Sequence, residues 1–412
     1  MRRAGAWIAA ALALAASAPA WAAPRPDGLV LERVVLVMRH GIRPPTKEPA
    51  LPAGVTRGAW PRWPVQPGWL TPHGAQAIRL LAGYDRAEWR RAGLIPAAGC
   101  PADVAIWADV DERTIATGQA FADGLAPGCG LPVGHAAGTV DPVFDPIASG
   151  DAPLDSAQAR QAVVAQAGAG GLEGAVARHR PQLARIQTVL GCCEASICQQ
   201  FAVEAPCGLP DLPTTLADAG REEPKLKGAL GWGATMSEVL LLEYSEGLPM
   251  AQVGFGRIDR AGMMDALALH PLEFDLLHRP PVIARAGASE LLHRIADALG
   301  TDSKGAALQI FVGHDTTLAY LSGALGLHWA PADYPRDDPP PGGGLGFERL
   351  RDRRGQRYVR IFFQVQSPEQ MRDLVTLDAG HPPMRDYLAI PGCGAAGDPC
   401  PIDRFEKLLA GA

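Results

Sequence analysis

Three short runs of apolar residues along the chain are each followed by a cluster of polar residues. The runs are Val34–Val37, Val104–Trp107 and Leu308–Val312. A run of this length without polar alternation is typical of a central strand that is buried on both faces. Ligands bind at the carboxyl ends of the strands in open parallel sheets, so we expect the polar residues after the three runs to meet at one edge.

Helical patterns separate these runs. Thr71 starts a helix that extends to about Arg91, and Thr114 starts another. Thr235 and Glu238 have the spacing of a capping box ahead of a further apolar stretch. Strands that alternate with helices predict an α/β fold, with a sheet of mostly parallel strands flanked by helices.

Residues 151–254 differ in composition from the rest of the chain. They begin with a segment rich in Ala, Gln and Gly, and Val163–Leu190 has helical spacing of its apolar residues. We interpret 151–254 as a mainly helical cap inserted into an α/β domain made of residues 23–150 and 255–412. A late apolar run, Tyr358–Val365, predicts one more strand, antiparallel at the sheet edge.

The N-terminus has the pattern of an export signal. Arg2 and Arg3 precede an apolar run from Trp7 to Ala16, and small residues at Ala20 and Ala22 follow it. This order of charge, apolar stretch and small residues is typical of a secretory signal peptide. A buried N-terminal helix is the alternative. We expect residues 1–22 to be removed and the mature protein to be periplasmic or secreted.

Composition and charge narrow the class of protein. Of 412 residues, 47% are hydrophobic and 20% are charged, which suits a soluble protein with a large core. The formal net charge of −6 does not favour nucleic acid as a partner. No stretch after the signal reaches the ~20 apolar residues of a spanning helix, so we expect no membrane association after cleavage.

The chain has eight cysteines, an even number that favours disulfides in an exported protein. Cys100 with Cys129, and Cys393 with Cys400, are the natural local pairs. The other four lie between 192 and 207 and allow three connectivities: Cys192, Cys193, Cys198 and Cys207. Zinc is the competing interpretation, but no paired Cys-x-x-Cys or matching His pair is present, so we expect no metal.

The residues after the first strand suit phosphoryl transfer. Cleavage of a phosphate ester needs a nucleophile in line with phosphorus, donors for the phosphoryl oxygens, and an acid for the leaving alkoxide. Arg39 and Arg43 supply planar guanidinium groups that bind two phosphate oxygens at once. His40 can attack only as neutral imidazole, and flanking cations that lower its pKa would keep it neutral in acid.

These residues resemble a known family. The stretch Arg39–Pro45 matches the Arg-His-Gly-x-Arg-x-Pro signature of the histidine acid phosphatases, and His314-Asp315 matches their distant His-Asp pair. The resemblance covers nearly the whole mature chain and is greatest to the bacterial periplasmic phytase and glucose-1-phosphatase group. Further landmarks of that group are at Trp69–Pro72, Asp109–Thr114, Pro340–Gly343 and Gln370–Asp373.

The resemblance implies a role for each residue of the site. It makes His40 the nucleophile and Asp315 the proton donor, and it places the phosphoryl group against Arg39, Arg43, Arg113 and His314. Two plainer interpretations stay open. Asp315 could be the N-cap of a helix that begins at Thr316, and Arg113 could form a surface salt bridge on its helix.

The same resemblance suggests three more substrate contacts. It places Thr46 at the phosphate and Lys47 at outer phosphates of the substrate, and an extra cation there suits a polyphosphorylated ester such as phytate. Glu238 falls where these enzymes have a pocket glutamate, but we favour the capping-box role with Thr235.

The sequence departs from the family pattern at three positions. Thr317 replaces an asparagine whose amide could touch substrate, and Gly344 replaces an acidic residue. Asp151 stands where relatives have a cysteine, which implies a missing long-range disulfide. The first change puts the preferred substrate in doubt, and none of them alters the core residues.

The sequence therefore predicts an exported acid phosphomonoesterase that works through a phosphohistidine and needs no cofactor. Its expected partner is a small-molecule phosphate monoester, first of all phytate, and we expect a monomer. A glucose-1-phosphatase or a broad acid phosphatase is the alternative activity. A non-catalytic phosphate-ester binding protein and a phosphoglycerate mutase are the remaining interpretations.

Overall fold

The computed structural model describes residues 28–217 and 224–411. The expected signal peptide, residues 1–22, lies outside the described residues. The strands are β1 (Val30–Arg39), β2 (Val104–Ala108), β3 (Val133–Gly134), β4 (Thr215–Ala217), β5 (Lys225–Lys227), β6 (Leu308–Gly313), β7 (Gly344–Arg351), β8 (Arg357–Val365), β9 (Met384–Tyr387) and β10 (Cys400–Pro401).

Helices connect most of these strands. They are α1 (Pro72–Arg91), α2 (Glu112–Leu125), α3 (Pro146–Ser149), α4 (Ser156–Gln166), α5 (Gly171–Arg178), α6 (Arg180–Leu190), α7 (Ala195–Gln200), α8 (Ala229–Ser245), α9 (Arg260–Ala266), α10 (Leu269–Leu277), α11 (Pro281–Leu299), α12 (Asp315–Leu325), α13 (Pro368–Arg372) and α14 (Ile402–Gly411). The helix predicted from Thr71 starts at Pro72, because the Thr71 hydroxyl accepts from the Gly74 N–H.

One sheet of eight strands organises the fold. Its order is β10-β8-β7-β1-β6-β2-β3, with β9 paired to β8. Strands β1, β6, β2 and β3 are parallel neighbours, and β8 points the same way beyond the antiparallel β7. The predicted α/β fold with a mostly parallel sheet is confirmed. The predicted late strand is β8, antiparallel to β7, but the short strands β9 and β10 cover its outer side.

The sheet is buried on both faces, which explains the unbroken apolar runs. Val34, Leu36 and Met38 of β1 face α1 and α2, where they pack in one cluster with Trp89 and Phe121. The intervening Val35 and Val37 face the other way, into a larger cluster that includes α11 and α12. Successive side chains of a strand alternate between faces, so a strand with helices on both sides must be apolar throughout.

The larger cluster also contains the helices of the proposed cap. Val163 of α4, Leu183 and Ile186 of α6, and Leu240 of α8 are buried in the same continuous core as Val37 of β1. The helices between 151 and 254 therefore pack directly against the sheet-bearing part of the chain. The division into cap and α/β domain at these boundaries stays a proposal.

All eight cysteines are paired. The expected pairs Cys100–Cys129 and Cys393–Cys400 are present. Within the ambiguous group, Cys198 pairs with Cys207 and Cys192 with its neighbour Cys193. Asp151, at the position of the missing bridge, is exposed and accepts a hydrogen bond from the Ser149 hydroxyl.

Among the described residues, no helix has the length and apolar character needed to cross a membrane. The longest, α1, carries charged residues along its length and buries only one side against α2 and the sheet.

A buried carboxylate joins α1 to the antiparallel half of the sheet. Asp85 is 1% exposed; its Oδ1 accepts from Gln364 Nε2 at 2.9 Å, and its Oδ2 has no partner among the described residues. Arg385 lies 3.5 Å away and stacks on the Phe362 ring. Burial raises the pKa of Asp85 to about 6, although Arg385 and the Gln364 hydrogen bond oppose the rise.

This carboxylate makes stability depend on pH. The folded state holds the proton of Asp85 more tightly than the unfolded state, so stability falls as pH rises from about 4 to about 6. We expect Asp85→Asn to raise the free energy of unfolding by about 2 to 3 kcal/mol at pH 7.5 and by much less at pH 4. Denaturant unfolding at both pH values measures this.

The exposed Asp302→Asn variant is the control for the change in net charge. If the free energies of unfolding of Asp85→Asn and the wild type differed by the same amount at both pH values, the raised pKa of Asp85 would be contradicted.

Candidate active site

The sequence-predicted nucleophile lies where the three central strands end. Strand β6 lies between β1 and β2 in the sheet, and the three strands are parallel. The residues that follow them therefore meet at one edge of the sheet, as expected. His40 directly follows β1 and is 1% exposed. Its backbone N–H donates to the carbonyl oxygen of Gly313 at 2.9 Å, and its backbone carbonyl accepts from the Gly342 N–H at 3.0 Å. The loop is thus held between β6 and the glycine-rich turn before β7.

A close helix contact fixes the other side of this loop. A Cβ on Gly74 of α1 would lie 2.6 Å from the carbonyl oxygen of Ile42, so only glycine fits there. From α2, the Thr117 hydroxyl accepts from the Gly41 N–H at 3.0 Å. The position of His40 is therefore set by strands on one side and by two helices on the other.

The hydrogen bonding of His40 selects its tautomer. Its Nδ1 lies 2.8 Å from the carbonyl oxygen of Gly41. A carbonyl can only accept, so Nδ1 carries the proton and the lone pair of the neutral ring is on Nε2. Burial lowers the pKa of His40 well below its ordinary value, and the charges of Arg43, Arg39 and Arg113 lower it further. The ring is therefore neutral and nucleophilic even in acid.

Two arginines from the same loop share carboxylate partners. Arg39, fully buried, binds Glu238 and also lies 2.8 Å from Asp315 Oδ2. Its other terminal nitrogen donates to Pro339 O at 2.6 Å. Arg43 Nη2 lies 3.0 Å from the same Glu238 oxygen. Glu238 therefore bridges the two guanidinium groups that were predicted to hold phosphate.

Asp315 is the first residue of α12, and His314 is the N-cap. The alternative role of Asp315 as the N-cap is therefore wrong, although its Oδ1 accepts from the Thr316 N–H at 2.9 Å. Burial raises the pKa of Asp315, but the charges of Arg39 and Arg43 outweigh this and hold the pKa below its usual range. In the free site this carboxyl is ionised, so its proton must come with, or after, the substrate.

The remaining predicted residues come from the ends of β2 and β6. His314 Nε2 lies 2.6 Å from Asp109 Oδ2, and its Nδ1 lies 3.4 Å from Arg113. Arg113 also binds Asp111 Oδ2 at 2.7 Å, so it forms a salt bridge within its own helix turn as well as facing the site. The His40 and His314 rings meet edge to face with centroids 5.6 Å apart.

Thr46 and Lys47 are exposed at the rim rather than inside. A Cβ on Gly68 would lie 3.6 Å from Thr46 Cγ2 and 3.8 Å from Arg113 Nη1, so Thr46 is on the Arg113 side. Lys47 lines a cavity of about 290 Å³ beside the end of the catalytic loop, which we define as Arg39–Pro45. The cavity is walled mainly by Pro44, Pro45, Trp60, Arg62 and Trp63.

The expected capping box at Thr235 and Glu238 is wrong. Helix α8 begins at Ala229, so both residues lie inside it. The Thr235 hydroxyl donates to Gly231 O, one turn back, instead of capping the helix. Glu238 is thereby free to point at Arg39 and Arg43. The structure therefore places Glu238 beside Arg39 and Arg43, and its role as a pocket glutamate that contacts substrate stays a prediction.

Thr317, the departure in the His-Asp segment, has a local role. It is 3% exposed, and its hydroxyl accepts from the His314 N–H at 3.1 Å. This hydrogen bond completes the start of α12 and fixes the backbone of His314 and Asp315.

Sequence reasoning missed four charged or titratable residues around the site. Asp109 follows β2 and binds His314, and its place at a strand end was a signal for it. His270 and Glu273 are on α10, and Asp338 precedes the proline-rich turn. His270 Nδ1 lies 2.7 Å from Asp338 Oδ1, with both side chains buried. No local pattern marks this pair, because its members are 68 residues apart in the chain.

Two groups of side chains have ligand atoms close enough to hold a metal ion. They are Asp109, Asp111 and His314, and Glu238, His270 and Asp315. In both groups an arginine already pairs with a carboxylate: Arg113 with Asp111, and Arg39 with Glu238 and Asp315. A metal ion would have to displace these guanidinium groups.

The three arginines keep unused donors. The Nε atoms of Arg39, Arg43 and Arg113 are buried and have no hydrogen-bond partner among the described residues. A buried donor without a partner costs about 1–3 kcal/mol, more when it is charged. An oxyanion beside His40 would satisfy such donors, and no described carboxylate does so.

Known proteins match this chain over nearly its full length. Phytase AppA of Escherichia coli (strain K12) is 37% identical over 408 residues, covering 95% of this chain and 93% of that protein. A glucose-1-phosphatase of Salmonella typhimurium is 31% identical over 412 residues, covering 98% and 97%. A structure of Hafnia alvei phytase in complex with myo-inositol hexakis sulphate is 36% identical with a TM-score of 0.85, covering 94% and 98%.

A model of the histidine phosphatase superfamily (branch 2) matches residues 30–204 and 276–364. Together with the edge where His40, Arg39 and Asp315 meet, these similarities confirm the family suggested by the sequence. The chain belongs to branch 2 of the histidine phosphatase superfamily.

Proposed function

We propose that this protein is an acid phosphomonoesterase that hydrolyses phytate through a phosphohistidine on His40. The observation that carries the proposal is the group of two buried arginines, Arg39 and Arg43, and the half-buried Arg113 around a neutral imidazole whose Nε2 is free to attack. The relatives of this chain include a phytase and glucose-1-phosphatases, and both activities cleave phosphate monoesters.

The first half of the reaction uses the arginines and His40. The phosphoryl oxygens bind Arg39, Arg43 and Arg113, which disperse their negative charge in the transition state. Nε2 of His40 forms the N–P bond as the P–O bond to the leaving alcohol breaks. The hydrogen bond from Nδ1 to Gly41 O stabilises the positive charge that the ring acquires.

Asp315 transfers the protons of the reaction, to the leaving alkoxide and from the attacking water. Phosphate monoesters have a second pKa of about 6, so in acid the substrate arrives as a monoanion that carries a proton. As its oxygens take up the charge of Arg39, the pKa of Asp315 rises toward that of an ordinary carboxyl group. The substrate proton can then move to Asp315 and on to the leaving alkoxide. In the second half, Asp315 accepts a proton from the water that attacks the phosphohistidine.

The rim favours a substrate with several phosphates. Lys47 and Arg62 bring two cations to the cavity beside the catalytic loop, against one carboxylate from Glu48, and Trp60 and Trp63 form its apolar wall. Thr46 stands on the Arg113 side of the same opening. Glucose-1-phosphatase activity is the second candidate, since a glucose-1-phosphatase is 31% identical to this chain and Thr317 offers the substrate no amide.

A binding protein without catalysis needs no nucleophile. The tautomer of His40 and the Arg39–Asp315 contact serve a reaction rather than anion storage, which argues for the enzyme. Export to the periplasm or the medium, a monomeric state and no affinity for nucleic acid complete the proposal. The N-terminal signal pattern supports export, and the acidic net charge supports the absence of affinity for nucleic acid.

Asp315→Asn should affect substrates according to their leaving groups. An alkoxide needs a proton to leave, so we expect kcat for phytate to fall roughly 10²- to 10⁴-fold. A nitrophenolate leaves without one, so the loss with p-nitrophenyl phosphate should be far smaller. Steady-state kinetics on both esters measure the difference. Equal losses on the two esters would show that Asp315 is not the acid.

A substrate panel separates the two candidate activities. We expect the wild type to have a higher kcat/KM on phytate than on glucose 1-phosphate at acid pH. Negligible turnover of phytate beside other monoesters would remove the phytase assignment and leave an acid phosphatase.

Lys47→Ala tests the rim. An exposed ion pair contributes about 0.2–1 kcal/mol, so KM for phytate should rise roughly two- to fivefold and KM for glucose 1-phosphate should hardly change. Lys304→Ala, an exposed lysine far along the chain in the loop before β6, is the matched control. If Lys47→Ala and Lys304→Ala had the same KM for phytate, Lys47 would not contact a phosphate of the substrate.

A further inference from the structure

Glu238 occupies the groups that the substrate needs. Its carboxylate bridges Arg39 and Arg43, and its side chain is 16% exposed. Burial raises the pKa of Glu238, but Arg43 and Arg39 outweigh it and hold the pKa below the ordinary value. A phosphate group that binds the two guanidinium groups must therefore displace an ionised carboxylate. A buried carboxylate left without a partner is strongly destabilising, so it needs another partner nearby.

His270 is the described side chain that suits this purpose. Its Nδ1 lies 2.7 Å from Asp338 Oδ1, and both residues are buried. Its Nε2 is buried and has no hydrogen-bond partner among the described residues. A ring nitrogen of His270 and one carboxylate oxygen each of Glu238 and Asp315 all lie within 4.8 Å of one another. Since Asp338 occupies Nδ1, Nε2 is the nitrogen left to bind a carboxylate.

The surroundings of His270 favour its charged form. Burial lowers the pKa of His270, but the carboxylate and hydrogen bond of Asp338 and the charge of Glu238 raise it above its ordinary value, against Arg39. Asp315 adds a carboxylate on the same side. Burial raises the pKa of the half-buried Glu273 to about 7, so at pH 5 this carboxyl is protonated and brings no charge. Phe274 meets the His270 ring edge to face at 4.9 Å and also brings no charge.

We propose that His270, oriented by Asp338, is a positioning residue that receives the Glu238 carboxylate when a phosphate group takes Arg39 and Arg43. The exchange moves a hydrogen-bonded carboxylate from two guanidinium groups to one imidazolium N–H, and no covalent bond changes. The two side chains are close enough for this exchange, because a ring nitrogen of His270 and a carboxylate oxygen of Glu238 lie within 4.8 Å of each other. Asp338 holds the ring in place and Pro339, the next residue, holds Arg39 through its carbonyl.

This inference rests on the proposed function, because it assumes that phosphate binds Arg39 and Arg43. Its test therefore measures anion binding apart from turnover. The probe is inorganic phosphate, and its dissociation constant is measured by calorimetry at pH 5 for four proteins: the wild type, His270→Asn, Glu238→Gln and the double variant. Asparagine keeps a donor for Asp338 and removes the nitrogen at the Nε2 position.

We expect His270→Asn to weaken phosphate binding roughly tenfold or more, the effect of losing a hydrogen bond to a charged group. In the Glu238→Gln background the same substitution should change the affinity less than about twofold, because a neutral amide needs no cationic partner. An equal loss in both backgrounds would overturn the proposal, since it would mean that His270 acts only on the structure of the site.

Two controls keep the outcomes distinct. Melting temperatures of the four proteins show whether His270→Asn alters stability equally with and without Glu238, and His270→Gln, with an amide near the Nε2 position, should recover part of the affinity. The four proteins form a double-mutant cycle. If His270→Asn does not fold, His270→Gln and the double variant of His270→Gln with Glu238→Gln take its place in this cycle. A wild type that neither binds phosphate nor hydrolyses phytate would refute the proposed function itself, whatever affinities the variants show.

Discussion

The rest of the site depends on the need to balance buried positive charge. Arg39 is fully buried and Arg43 nearly so, and Arg113 lies mostly inside the same opening. Charges in the interior are tolerated only with partners, so each arginine has a carboxylate in the ligand-free protein: Glu238, Asp315 or Asp111. In the proposed mechanism a phosphate group is exchanged for these internal anions rather than added to an empty pocket. Burial and the same cations lower the pKa of His40 and keep it neutral, so the arrangement suits both binding and nucleophilic attack.

The fold makes this concentration of charge possible. Three adjacent parallel strands end at one edge, and each contributes functional groups there: β1 brings His40, β2 leads to Arg113, and β6 to His314 and Asp315. Packing on both faces of the sheet fixes the strand ends, since a slip of one residue would move every apolar side chain of β1 to the opposite face, into packing that does not fit it. Helix α8 then brings Glu238 from a distant part of the chain, packed in the same core as the sheet.

Parts of this arrangement could be predicted from the sequence because they are local. The apolar runs mark the central strands, and the dense stretch Arg39–Pro45 marks the catalytic loop. Glu238 could not be placed, because Thr235-x-x-Glu238 fits a capping box and three glycines just upstream (Gly228, Gly231, Gly233) disfavour a helix that tertiary packing nevertheless forms. His270 and Asp338 meet only in the folded chain, and the pairing of Cys198 with Cys207 depends on how the α7 region folds.

The central claim is that Nε2 of His40, left free by the Nδ1 hydrogen bond to Gly41, is the atom that carries the phosphoryl group. The most direct measurement is phosphorus NMR of the protein quenched in alkali during turnover, with mass spectrometry to locate the modified residue. We expect phosphohistidine at residue 40, substituted on Nε2. Phosphate on Nδ1, on His314, or on no residue while turnover proceeds would contradict it.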